Sequence, residues 1–303
     1  MRLSIVLVLV VGCSSEPASR CMGLCPDDAS VASDAGVVAD AATDAMLGAM
    51  PDVSPLSPLV WSSDELASAL AGGVQVVDTR ALSEVEVSRI PGASRVDPSQ
   101  LRTSVDGVPA QVPSASEVAA VFGAAGLVAN RPIVVYGAGV TTEAARVVWT
   151  LAHFGHDDVH LLDGGFAAWA GETQSGALDV SSTTYALSHP EGRFRVDADE
   201  VNAALGDVLI VDARTAGEFD AGRIPGSLQV AWTDMIVDGA FRSREEIAAL
   251  YPSLEGRRVI TYCQTGSRAS VTWVALIALG ADAVLYDGSW AEWSTREDLP
   301  REP

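Results

Sequence analysis

The chain has 303 residues, enough for two ordinary domains with full cores, and its 48% hydrophobic and 19% charged residues describe a globular protein. All 19 basic residues are arginine, and the formal net charge is -21. That balance excludes nucleic acid as a partner, because no basic stripe is present to neutralise phosphates; an anionic substrate must meet a few placed arginines inside a cleft.

The first segment reads as a targeting signal. Arg2 precedes an apolar run over residues 3–11, far short of the ~20 apolar residues of a spanning helix, so residues 1–12 read as a signal peptide. Val10-Val11-Gly12-Cys13 resembles a bacterial lipobox, in which cleavage before the cysteine is coupled to its lipidation. That implies an extracytoplasmic protein, facing the periplasm or the cell surface, held to a bacterial membrane only through a lipid on Cys13. Residues 13–57 are rich in Ala, Asp and Ser with no helical or strand period, and read as a flexible tether. Cys21 and Cys25 lie within it, as a small disulfide loop in an oxidising compartment or as idle thiols. A metal there would need further ligands nearby.

After the tether the chain repeats itself. Val76-Val77-Asp78-Thr79-Arg80, then Ile90-Pro91-Gly92-Ala93, returns as Ile210-Val211-Asp212-Ala213-Arg214, then Ile224-Pro225-Gly226-Ser227. The interval from Asp78 to Asp212 equals that from Pro91 to Pro225. Ile133-Val134-Val135-Tyr136-Gly137 answers Val259-Ile260-Thr261-Tyr262-Cys263, and Leu162-Asp163-Gly164-Gly165 with Trp169 answers Tyr286-Asp287-Gly288-Ser289 with Trp293. The pattern predicts repeats over 58–175 and 194–303 joined by a linker at 176–193. In the first repeat, apolar runs at 74–77, 133–136 and 159–162 predict buried strands, and 63–71, 116–125 and 142–154 predict helices. Gly155 and Gly280 fall where a helix would end in a left-handed cap. The alternation implies an α/β fold: two similar domains, each a mostly parallel sheet flanked by helices, with the site at the carboxyl ends of the strands.

Residues 259–262 predict a strand, Cys263-Gln264-Thr265-Gly266-Ser267-Arg268 a polar loop, and 269–279 a helix with Trp273, Leu276 and Ile277 on its apolar side. The amides of such a loop and of the first helical turn have no intrahelical partners and carry the positive end of the helix dipole. A cysteine among them is favoured as thiolate, its nucleophilic form. Gly266 allows dihedrals that a β-carbon forbids.

The duplicated pattern Asp-x-Arg, Ile-Pro-Gly, Tyr-Cys-x-x-Gly and Tyr-Asp-Gly-Ser-Trp resembles the tandem-domain rhodaneses, thiosulfate and 3-mercaptopyruvate sulfurtransferases, over roughly residues 58 to 300. The resemblance implies a site between the domains and a first domain that is catalytically silent, since Gly137 stands where Cys263 stands in the second. It implies double displacement without a cofactor. Cys263 takes sulfur from a small-molecule donor and passes it to a thiophilic acceptor, cyanide or a thiol. Gln264, Thr265, Gly266 and Ser267 would line the substrate, Arg268 would grip a sulfonate, and Arg214 matches a family position that contacts substrate. An ion pair with the preceding aspartate is the alternative for Arg214 and Arg80. Mercaptopyruvate enzymes have a small loop of the Cys-Gly-Ser-Gly type and thiosulfate enzymes carry cations there. The arginine favours thiosulfate, with mercaptopyruvate transfer or a non-catalytic persulfide-carrying module as alternatives. Asp287, Trp290 and Trp293 read as packing and turn residues, because Asp163 and Trp169 recur in the silent copy.

Phosphatases of this fold place five residues between cysteine and arginine, whereas four intervene here, a ring better suited to sulfur. His153, His156 and His160, with Asp157 and Asp158, straddle Gly155 and a helix-to-strand connection, so they do not share one face as metal ligands would. Gly137-Ala138-Gly139 lacks the third glycine of a dinucleotide loop, having Thr142 there.

Overall fold

The computed structural model describes residues 59–303. The signal peptide, Cys13, the tether and the Cys21/Cys25 pair lie outside them. The first repeat runs β1 (Val60–Trp61), α1 (Ser63–Ala69), β2 (Gln75–Asp78), α2 (Leu82–Val87), β3 (Ser94–Arg95), the hairpin β4 (Thr103–Val105) and β5 (Val108–Gln111), α3 (Ala115–Ala124), β6 (Ile133–Tyr136), α4 (Thr142–His153), β7 (Val159–Leu162) and α5 (Gly165–Ala168). The second runs β8 (Arg195–Val196), α6 (Ala198–Ala203), β9 (Leu209–Asp212), α7 (Ala216–Asp220), β10 (Leu228–Gln229), the hairpin β11 (Ile236–Val237) and β12 (Ala240–Phe241), α8 (Arg244–Ala248), β13 (Arg258–Tyr262), α9 (Ser267–Ala278), β14 (Asp282–Tyr286) and α10 (Ser289–Trp293).

Each repeat forms a five-stranded sheet, in the orders β1-β7-β6-β2-β3 and β10-β9-β13-β14-β8. Every pairing in both is parallel, and read in opposite directions the two orders are the same. In the first sheet β2, β6 and β7 bury all their residues, which is why they read as continuous apolar runs: parallel sheets are covered on both faces. The expected strands at 133–136 and 159–162 fall on β6 and β7. The expected 74–77 strand runs over Gln75–Asp78; Gln75 within it is buried with its amide spent on the Val128 backbone, Val128 N donating to Oε1 (2.7 Å) and Nε2 donating to Val128 O (2.9 Å). The helix expected over 63–71 divides into α1 and a 3-10 turn, Leu70–Gly72.

Helices α4 and α9, which follow the two matching loops, pack on each other across the molecule. One hydrophobic core unites the repeats, with Trp149 of the first and Phe194 and Trp273 of the second in it. Trp149 Nε1 donates to Phe194 O at 3.3 Å. The hairpins are exchanged: Phe241 N, in β12, donates to Asp163 Oδ1 of the first repeat (2.8 Å), and Val112 N, just past β5, donates to Asp287 Oδ2 of the second (2.6 Å). The turn aspartates therefore dock one repeat's hairpin onto the other's loop.

Candidate active site

Cys263 closes β13, the central strand of the second sheet, and is 1% exposed. Its amide donates to Ser289 Oγ (3.2 Å), which donates to Tyr286 O (2.8 Å). Ser289 pays for this position with a left-handed φ of 53°. The carbonyls of Cys263 and Gln264 accept from Trp290 N and Ala291 N, both at 3.0 Å. In a trans peptide the N–H leaves the edge opposite the C=O, so the amides of Gln264 and Thr265 are turned to the other side. Helix α9 begins at Ser267, two residues earlier than expected, capped by Gly266 at φ 82°. Ser267 and Arg268 thus belong to its first turn. The first amide here with a carbonyl partner is Ser270 N, bonded to Gly266 O (3.0 Å). Among the described residues the amides of 264–269 donate to no protein group, the Cys263 sulfur included. Six consecutive amides without a partner, following Cys263 and running into a helix start, have the arrangement of an anion cradle.

Gly266 is required by its neighbours as well as by its φ. A β-carbon there would stand 2.6 Å from Asp287 Oδ1 and 3.3 Å from Arg146 Nη1. Those two side chains form a fully buried ion pair, Arg146 Nη1 donating to Asp287 Oδ1 at 2.6 Å and Nη2 to Oδ2 at 3.2 Å. Asp287 was expected to be a turn residue; it is also the bridge between repeats beneath the loop. Arg146 was not singled out from the sequence. Its signal was a lone arginine on the apolar face of a predicted helix, where a buried charge requires a partner.

Arg268 stands beside the sulfur and forks onto Glu218, Nη1 to Oε2 and Nη2 to Oε1, each at 2.7 Å. Glu218 is also the third residue of α7, where it completes a capping box with Thr215. Arg268 holds the Glu218 carboxyl down to about 2. In turn Glu218 first, and the Cys263 sulfur after it, raise the guanidinium above its usual range.

Arg214 corrects the expectation of a substrate contact. It is 1% exposed, with Nε on both Asp212 oxygens (3.0 Å each) and Nη2 on Asp212 Oδ2 (2.6 Å) and Gly222 O (2.8 Å). Its guanidinium also lies over the Trp290 ring, 4.8 Å from the centroid. Arg80 repeats the arrangement in the silent copy, with Asp78 and Ser88 O. A geometry shared by both copies is a device of the fold.

The matching loop of the first repeat is filled. Gly137 ends β6 as Cys263 ends β13, but a β-carbon on it would meet Thr141 Oγ1 at 2.6 Å. One on Gly139 would meet Gly239 O at 2.8 Å. Val140 N donates to that same carbonyl (2.7 Å), so the turn of the hairpin β11–β12 already occupies this cradle.

The histidines go to separate partners. His153 Nδ1 accepts from Arg193 N (3.2 Å) and Phe194 N (3.0 Å), and burial drives its pKa down to about 3. His156 Nδ1 meets Tyr185 Oη (2.7 Å), and His160 Nε2 meets Asp158 Oδ1 (2.8 Å). Among the described residues no group of three or more His, Cys, Asp or Glu is placed to hold a metal ion.

The architecture and the loop define a two-repeat α/β protein with one cysteine-centred anion cradle. The rhodanese-like domain model matches residues 62–172 and 197–296, and the chain belongs to the rhodanese family. It is 29% identical over 259 residues to the 3-mercaptopyruvate sulfurtransferase of Escherichia coli (strain K12), covering 76% of this chain and 92% of that one. It is 31% identical to thiosulfate sulfurtransferases of Corynebacterium glutamicum over 276 residues (80% and 88%) and of Pseudomonas aeruginosa over 265 residues (81% and 97%). The crystal structure of SseA from Escherichia coli, a 3-mercaptopyruvate sulfotransferase, superimposes with a TM-score of 0.68 at 28% identity, covering 77% of this chain and 99% of that one. The chain is a sulfurtransferase.

Proposed function

We propose that the chain moves sulfane sulfur from thiosulfate to a thiophilic acceptor through a persulfide on Cys263. The observation that carries this reading is the buried Cys263 at the head of a loop whose six amides have no acceptor among the described residues, with Arg268 in the helical turn that follows. The Cys263 thiolate attacks the outer sulfur of thiosulfate. A new S–S bond forms, the S–S bond of thiosulfate breaks, and its electron pair leaves with sulfite. Cyanide or a thiol then attacks the outer sulfur of the persulfide and returns Cys263 as thiolate. At each stage the charge rests on sulfur, where fixed amide dipoles stabilise it without reorganising. Gln264, Thr265, Gly266 and Ser267 supply those dipoles through their backbone, and Arg268 binds the sulfonate.

The pairing of Arg268 with Glu218 favours 3-mercaptopyruvate as the second reading, because it cancels much of the charge that a dianion would seek. Lipid attachment at Cys13 and an extracytoplasmic location complete the proposal, supported by the lipobox-like Val10-Val11-Gly12-Cys13. Intact mass after thiosulfate treatment tests the chemistry: a sulfur-sized increase, removed by cyanide and missing from Cys263→Ser, is expected. No increase on a free thiol would leave a non-catalytic module. Initial rates with thiosulfate and mercaptopyruvate side by side decide between the donors.

A further inference from the structure

The hairpin β4–β5 reaches from the silent repeat to the catalytic loop. Val112 N holds one oxygen of Asp287, and the other oxygen lies 2.6 Å from the β-carbon position of Gly266. Arg102 ends the 3-10 turn Pro98–Leu101 and leads directly into β4, whose Thr103 pairs with Gln111, the neighbour of Val112. Arg102 therefore stands one ladder step from the contact that seats the loop. Among the described residues its buried Nε and Nη2 have no hydrogen-bond partner. Its ion pair with Glu143 Oε1 is loose, at 3.9 Å from Nη2, beyond hydrogen-bond range. Buried donors left unmade are costly, and such a group is expected where a ligand completes it. Burial works against the guanidinium's charge, while Glu143, the Cys263 sulfur and Asp287 work for it and Arg146 against it.

We infer that Arg102 binds the anionic head of the sulfur donor as a second guanidinium beside Arg268, so that the catalytically silent repeat completes the donor site. Arg268 is already neutralised by a two-pronged bond to Glu218, whereas the ion pair of Arg102 with Glu143 is long, at 3.9 Å. The less cancelled of the two positive charges is thus on the first repeat. A dianion such as thiosulfate needs it more than a monoanion does. This inference rests on the thiosulfate reading above.

The test is steady-state kinetics of the full chain with thiosulfate and with methanethiosulfonate, a monoanionic donor, beside the rate at which cyanide strips a preformed Cys263 persulfide. Arg102→Gln is expected to raise the thiosulfate KM roughly ten- to a hundredfold, the range of a charge-assisted hydrogen bond. It should raise the methanethiosulfonate KM less and leave the cyanide step within about twofold. Arg102→Lys should recover part of the loss, and Glu143→Gln should leave the thiosulfate KM unchanged or lower it. An unchanged KM in Arg102→Gln overturns the inference, as does an equal rise in Glu143→Gln, which marks a structural pair. If the wild type takes no sulfur from thiosulfate, the donor reading fails, and the KM of Arg102→Gln for mercaptopyruvate still tests Arg102.

Discussion

Arg146 Nη1 lies 2.6 Å from Asp287 Oδ1, with both side chains fully buried and 141 residues apart in the chain. This pair joins the repeats directly under Gly266, so the loop that holds Cys263 rests on a charge supplied by the other repeat. Removing one partner leaves a buried ion uncompensated, which costs about 3–5 kcal/mol. Asp287→Ala and Arg146→Ala should each lower the denaturation midpoint by a corresponding amount. Denaturant titration checks this, and a loss under ~1 kcal/mol would contradict the bridging role.

Cys263→Ser should abolish thiocyanate formation from thiosulfate and cyanide, while Gly137→Cys should not create a second active site. Its Cβ would meet Thr141 Oγ1 at 2.6 Å, and the Gly239 carbonyl already takes the Val140 amide. The measurement is sulfur incorporation by mass in the double variant Cys263→Ser/Gly137→Cys. One sulfur on residue 137 would refute it.

Gly266→Ala combines a left-handed φ of 82° with a contact of 2.6 Å to Asp287 Oδ1. The backbone cost alone is about 1–2 kcal/mol, and the close contact adds to it by pushing the loop off Asp287. Activity should fall at least as much as stability, read by kcat/KM and by thermal denaturation of the same preparation.

Glu218 carries a pH signature. Its carboxyl titrates near 4.5 when unperturbed and near 2 in the folded chain, chiefly because Arg268 donates to it. A depressed carboxylate contributes stability that is complete above about 4.5 and disappears as the pH falls toward about 2. The stability gap between the wild type and Glu218→Gln should therefore shrink on acidification through that window. The group is partly exposed and solvent screens it, so the effect is modest. Denaturation midpoints of both proteins from pH 6 to pH 2 measure it, and a constant gap would count against it.

Much of the fold was legible because duplication is a pattern in the chain itself. The equal intervals between Asp78 and Asp212 and between Pro91 and Pro225 announced two copies, and the β-branched runs at 133–136 and 159–162 marked strands buried on both faces. The loop that holds Cys263 and Gly266 was legible for a related reason: a polar loop between a strand and a helix is a local arrangement, with local amides. Arg214 misled because its motif, Asp-x-Arg, looks the same whether the arginine faces a ligand or folds back onto its own aspartate.

The sequence by itself determined the two α/β repeats, the strand-to-helix loop that opens with Cys263 and the copy that has Gly137 in its place. Tertiary structure alone decided which groups meet: Arg146 with Asp287, Arg268 with Glu218, Arg102 with Glu143, and the Gly239 carbonyl with the amide of Val140. The physical reason is range. Periodicity and loop chemistry act over a few residues, whereas these partners are brought together only when two sheets, a shared core and two exchanged hairpins are in place.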